Sequence, residues 1–326
     1  MNQLAVCAIG GNSLIKNPSR ASFQDQYATA CETARSLADL VAGGLRLIVT
    51  HGNGPQVGFM LIRSHLARNR LPEIPLDACN ALTQAEIGYM LQMALMNEFR
   101  ARGIDREVVT IITQVLVDED DPAFSSPSKP VGPFYTKREA MVLKKELNWV
   151  LQEDAGRGFR RYVPSPEPRE IIERPEIEAL VKAGVIVIAV GGGGIPVVEA
   201  KSEVLNPPTA YRLPTTALHG VAAVIDKDLA SGLLATRVGA ELLVISTSVE
   251  KVFLNYNQPN QTALDLIRLV EVERYVQEGQ FPAGSMGPKI DAALRFLRAG
   301  GKQVIITDPA HLAGAVAGKA GTRIVV

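Results

Sequence analysis

Leu4-Ala5-Val6-Cys7-Ala8-Ile9 followed by Gly10-Gly11-Asn12 is the stretch on which the fold turns. Six apolar residues without polar alternation read as a strand buried on both faces. The pattern returns along the chain. Leu45–Val49 runs into Thr50-His51-Gly52-Asn53-Gly54, and Val185–Val190 into Gly191–Gly194. Leu242–Ile245 precedes Ser246-Thr247-Ser248, and Val304–Ile306 precedes Thr307-Asp308. Helical stretches lie between: Gln24–Ala42 before Gly43-Gly44, Leu82–Arg102 before Gly103, and Pro288–Ala299 before Gly300-Gly301. Glycine just past a periodic run is a helix stop. Strands alternating with helices predict a three-layer α/β/α sandwich with a mainly parallel sheet. In such sheets ligands collect at the carboxyl ends of the strands, where these glycines fall.

One segment breaks the rhythm. From about 118 to 138 the chain is acidic, then rich in Pro and Ser, then aromatic at Phe134-Tyr135. Phe124, Phe134 and Tyr135 argue for an ordered excursion, a small protruding subdomain over about 118–162 within a single domain of residues 1–326.

Composition narrows the function. Lys and Arg total 34 and Asp and Glu total 34, so net charge makes no case for nucleic acid or an acidic membrane. Cys7, Cys31 and Cys79 are odd in number and widely spaced, which fits reduced thiols and a cytoplasmic protein. No apolar run approaches the roughly 20 residues of a spanning helix.

The glycine-rich loops fit phosphate, because glycine lets an anion approach backbone N–H groups at a helix start. Gly10-Gly11-Asn12-Ser13, Gly52-Asn53-Gly54-Pro55 and Gly191–Gly194 are the candidates. Each is also readable as a tight turn chosen for backbone reasons. GxxxxGK[ST] and GxGxxG are both absent, which argues against a P-loop enzyme and a dinucleotide-linked dehydrogenase. GxSxG is absent too, and the four histidines form no metal motif. His65 reads as a surface residue on a helix. His51 serves either structure or ligand binding.

Phosphoryl transfer needs cations and positioning more than covalent chemistry. Lys227 lies in Asp226-Lys227-Asp228 ahead of the apolar helix Leu229–Ala235, with Asp228 a candidate cap or holder of a magnesium-bound water. Lys289 lies in Gly284-Ser285-Met286-Gly287-Pro288-Lys289, a glycine turn opening a helix. Lys129 lies in the Pro-rich excursion, where movement of that lobe would carry it onto a substrate. Each lysine also reads as a solvated surface charge.

The ordered set of motifs resembles the carbamate kinases of the amino acid kinase superfamily. It includes Gly10-Gly11-Asn12, Thr50–Gly58, Thr83–Tyr89, Lys129–Tyr135, Arg160–Pro166, Gly191–Val197, Ile225–Ala230 and Gly284–Lys289. The resemblance implies reaction of carbamoyl phosphate with ADP to give ATP and carbamate, with magnesium, by a cytoplasmic homodimer. It implies a substrate-binding portion at 1–200 and a nucleotide-binding portion at 201–326. Gly10, Gly11, Asn12, Gly52, Asn53 and Gly54 are implied as substrate contacts. Lys129, Lys227, Asp228 and Lys289 are implied as catalytic. Lys227, Ser246, Thr247, Ser285, Met286 and Lys289 are implied on the nucleotide side, with no protein metal ligand assigned. Ser13, Ser248 and Glu250 depart from the family pattern, and the last two bear on ADP affinity, purine preference and rate. The competing readings are a related kinase of another small acid and a non-catalytic binding relative.

Overall fold

The computed structural model describes residues 3–11, 14–15, 20–154, 156–200, 204–206, 211–213, 217–282 and 285–326. Asn12, Ser13 and Gly284, named above, lie outside them.

The nine helices of the described residues are α1 (Phe23–Ala42), α2 (Gly54–Ala67), α3 (Leu76–Arg102), α4 (Lys137–Leu147), α5 (Arg174–Lys182), α6 (Lys227–Arg237), α7 (Leu269–Gln277), α8 (Gly287–Arg298) and α9 (Leu312–Val316). Helix α1 starts where Ser22 and Asp25 form a reciprocal capping box and stops at Gly43. Helix α3 begins six residues before the expected Leu82. Pro75 opens it in an extended conformation, and Leu76, Cys79 and Asn80 are buried in the added turns. It ends as expected at Gly103, with φ at +66°.

The eight-stranded sheet runs Leu266–Arg268, Thr322–Val325, Gln303–Thr307, Leu242–Ser246, Leu4–Ile9, Arg46–His51, Ile186–Ile188, Val108–Thr110. Neighbours are parallel except at one join, between Gln303–Thr307 and Thr322–Val325. Alternate residues of the buried strands feed opposite cores. Val6, Ile48, Leu243 and Val304 pack with α5, α6, α7 and α8. Cys7, Val49, Val244 and Ile305 pack with α1, α3 and α9. This is the three-layer sandwich with a mainly parallel sheet.

The strand expected to reach Val190 stops at Ile188. Val190 takes φ +52°, held by donation from its N–H to Thr113 Oγ1 at 2.9 Å. The glycines that follow form a tight turn and lead into the strand Ile195–Glu199, not into a helix. A second sheet of four strands contains that segment.

Within the excursion, Lys129–Tyr135, Phe159–Val163 and Val150–Glu153 form an antiparallel sheet carrying α4. It has its own small core of Ala140, Leu143 and Leu151 against Trp149 and Phe159. Its base packs on α2 through Val57, Leu61, Val131 and Val163. The closest approach is backbone on backbone: a Cβ on Gly58 would stand 2.3 Å from Gly132 Cα. Among the described residues no helix is long and apolar enough to cross a membrane.

Candidate active site

Three parallel strands deliver their carboxyl ends to one place. Leu4–Ile9 ends at Gly10-Gly11, Arg46–His51 at Gly52, and Leu242–Ser246 at Thr247. The ends are tightly nested. A Cβ on Gly10 would lie 2.9 Å from the Ser246 carbonyl oxygen, and one on Gly52 would lie 3.5 Å from Gly11 N and 3.7 Å from Lys227 Cδ. Beside them opens a cleft of about 1230 Å³.

The N-terminal ends of α2, α6 and α8 face this cleft through Gly54, Lys227 and Lys289. Helix N-termini carry partial positive charge and unpaired N–H groups, so three together favour an anion. Proline at the start of α2 and α8 suits a position that has no N–H partner to lose.

The charged centre is built on α6. Asp226 is its N-cap, and Oδ1 accepts from Asp228 N at 2.8 Å. The other oxygen of Asp226 accepts from Lys129 Nζ, which reaches over from the protruding sheet. Asp228, in the first turn, is buried. Lys227 Nζ donates to its Oδ1 at 2.6 Å and Lys289 Nζ to its Oδ2 at 3.1 Å. Burial alone would raise the Asp228 carboxyl, but the two ammonium groups outweigh it and hold it at about 2. Asp228 is therefore ionised and locks two cations on either side of one carboxylate. The cap expected of Asp228 falls to Asp226, because only the residue preceding the helix can accept from its first N–H groups.

Lys129, Lys227, Asp228 and Lys289 thus converge on one cleft, with Gly52, Asn53, Gly54, Thr247, Ser285 and Met286 on its wall. Gly10 and Gly11 sit directly behind Gly52. Ser246 is fully buried and its hydroxyl has no partner, so it supports the wall and does not line it. Of the third glycine run only Gly192 reaches the cleft. Its neighbours pack inward, Gly191 on His51 and Gly193 on the Ile225 carbonyl.

Other residues of the site had no local signal. Phe253, Tyr256 and Phe281 add apolar surface to the cleft lining, the Phe253 and Tyr256 rings 6.0 Å apart. His51 is buried beneath the glycine turn. Burial, helped by the nearby Lys227 charge, pulls it down to about 4, so it is neutral and structural at physiological pH. His65 is on α2 as expected, but it is half-buried against Trp149 of the protruding sheet, ring centroids 6.2 Å apart.

Known proteins match over the whole length. The model of the amino acid kinase family matches residues 3–308. A carbamate kinase of Pyrococcus horikoshii is 45% identical, with 99% of each chain covered. A carbamate kinase-like protein of Escherichia coli is 45% identical, covering 100% of this chain and 99% of that one. Carbamate kinase from Giardia lamblia bound to AMP-PNP superposes with a TM-score of 0.89 at 39% identity, covering 99% of this chain and 98% of that one. With a cleft of helix N-termini and lysines at the strand ends, and kinship of this depth along its length, the chain belongs to the amino acid kinase family, among its carbamate kinases.

Proposed function

We propose that the chain transfers a phosphoryl group reversibly between carbamoyl phosphate and ADP, giving ATP and carbamate. The observation that carries this reading is the convergence of Lys129, Lys227 and Lys289 on the cleft around two aspartates. Carbamate and ADP are both anionic, and the transferring group spreads negative charge over its equatorial oxygens. Cations fixed in advance lower that barrier without reorganising during the reaction.

In this reading Lys227 and Lys289 flank the transferring group from opposite sides of Asp228. Asp228 acts as a spacer that keeps both ammonium groups aimed and charged. Lys129 leaves Asp226 for the substrate as the lobe settles. The wall from Gly52 to Gly54 holds the small acid, and Phe253, Tyr256, Phe281 and Met286 receive the nucleotide base. A substrate portion at 1–200 and a nucleotide portion at 201–326 are part of this reading, and residues of both stretches line the cleft.

Magnesium fits as a passenger on the nucleotide. Among the described residues no three carboxylate, His or Cys groups gather to hold a metal, and Asp228 is already shared by two lysines. Magnesium usually keeps several waters and binds through substrate phosphates with one or two carboxylates, and Asp226 on the cleft wall is one such group. When bound it neutralises charge on the phosphate oxygens.

A homodimer is part of the proposal. On α3 Leu82 is exposed, and Tyr89, Met93 and Met96 line, with Ile112, a depression of about 430 Å³. An apolar stripe of this kind marks an interaction surface, and a second copy is the occupant we assign.

The test is ATP formation from ADP, magnesium and a donor, comparing carbamoyl phosphate, acetyl phosphate and N-acetylglutamyl phosphate. Fast turnover with carbamoyl phosphate is expected. Preference for the larger acyl phosphate would assign another acid, and ADP binding without turnover would make the protein a binding relative.

A further inference from the structure

In the cleft wall, a buried amide has its orientation imposed. Asn53 is 3% exposed. Its Nδ2 donates to Asn80 Oδ1 at 2.9 Å and to Thr83 Oγ1 at 2.8 Å, both on α3. Thr83 Oγ1 donates its own proton to the Asn80 backbone carbonyl at 2.8 Å, so towards Asn53 it can only accept. Asn80 is oriented in turn, its Nδ2 donating to the Ala223 carbonyl at 3.4 Å, which leaves its Oδ1 as an acceptor. A flipped Asn53 amide would set its oxygen against two acceptors in a buried place, at a cost of about 1–3 kcal/mol per unpaired group.

Gly192 also fixes the plane of the amide. A Cβ there would lie 2.1 Å from Asn53 Nδ2, 2.3 Å from Cγ and 2.5 Å from Oδ1, so the glycine lies over the whole group. Its φ of +65° is one that side chains resist. Both bonds use Nδ2, and no described residue donates to Asn53 Oδ1. Asn53 lines the cleft next to Gly52, which borders the Lys227 stem.

We infer that Asn53 Oδ1 accepts from an N–H on the small substrate, and that Asn80 and Thr83 are positioning residues which make the site select an amino-bearing acyl phosphate over its methyl-bearing isostere. This rests on the function proposed above. A carbamoyl group offers two N–H donors where an acetyl group has a methyl of nearly equal size. A pocket cannot separate the two by volume. An acceptor can, because the methyl leaves it desolvated and unpaired.

The experiment measures kcat/KM with carbamoyl phosphate and with acetyl phosphate in the wild type, Thr83→Val, Thr83→Ser and Asn80→Ala/Thr83→Val. The ratio of the two donors is the readout, which a general structural role would leave unmoved. We expect Thr83→Val to lower the preference for carbamoyl phosphate by about tenfold, the double variant to lower it further, and Thr83→Ser to restore it. Acetyl phosphate should change by less than about threefold, within the loss of a single weak contact. Parallel losses with both donors, or an unchanged ratio, would overturn the inference. If the double variant does not fold, judged by its thermal midpoint and ADP binding, the Thr83→Val and Thr83→Ser pair decides alone. A wild type that does not turn over carbamoyl phosphate at all would instead remove the proposed function.

Discussion

At the scale of single residues, Asp228 carries the most consequence. It is a buried carboxylate shared by Lys227 and Lys289. Its folded pKa of about 2 lies below its ordinary 3.8. Its stabilising contribution is therefore complete above pH 3.8 and is lost as pH falls toward 2, on the order of 2 kcal/mol. His51 acts in a different window. Its neutral form is favoured down to about 4, against an ordinary 6.5. The unfolded chain takes up the proton first, so stability is complete above 6.5 and falls between 6.5 and 4, by about 3 kcal/mol. Urea midpoints between pH 7 and 4.5 should fall steeply in the wild type and less in His51→Gln. A flat wild-type profile over that range would contradict the burial argument. For catalysis, Lys227→Ala or Lys289→Met is expected to lower kcat by about 10²–10³ or more, the scale of one lost transition-state donor. Steady-state ATP formation checks this, with ADP binding confirming an intact fold.

Individual elements show what was legible in the sequence and what was not. Continuous apolar runs declared the strands because both faces of those strands are buried, and glycine stops declared the ends of α1, α3 and α8. The run Gly191–Gly194 misled as a helix start. Its glycines answer to close packing on Asn53 and Ile225 and to left-handed φ, requirements set by distant residues. Lys129, Lys227 and Lys289 were legible from their Gly, Pro and Asp neighbours. Their meeting on Asp226 and Asp228 was not, because it joins the excursion, α6 and α8 across long stretches of chain. The join between the protruding sheet and α2 is likewise tertiary. Gly58→Ala would push a methyl into Gly132, where backbone meets backbone. We expect a loss of about 1–3 kcal/mol and a looser lobe. Trp149 is the one tryptophan, with the Arg161 guanidinium 4.1 Å over its ring, so its emission should move to the red. Unchanged emission and activity would show that the contact tolerates a side chain.

For the whole molecule, two long-range arrangements matter: the cleft between the two halves of the chain and the apolar face of α3. The second gives a prediction about assembly. Tyr89→Asp with Met93→Glu, both on the outward stripe, should turn a dimer into a monomer by sedimentation equilibrium, because two charges would be buried against apolar groups. A monomeric wild type would remove that part of the account. The transfer itself can be followed by ³¹P NMR with carbamoyl phosphate, ADP, magnesium and the purified protein, alongside Lys289→Met. The donor signal should be replaced one for one by the γ-phosphate of ATP, and Lys289→Met should make it slowly or not at all. Release of inorganic phosphate in place of ATP, or equal rates from the two proteins, would contradict it.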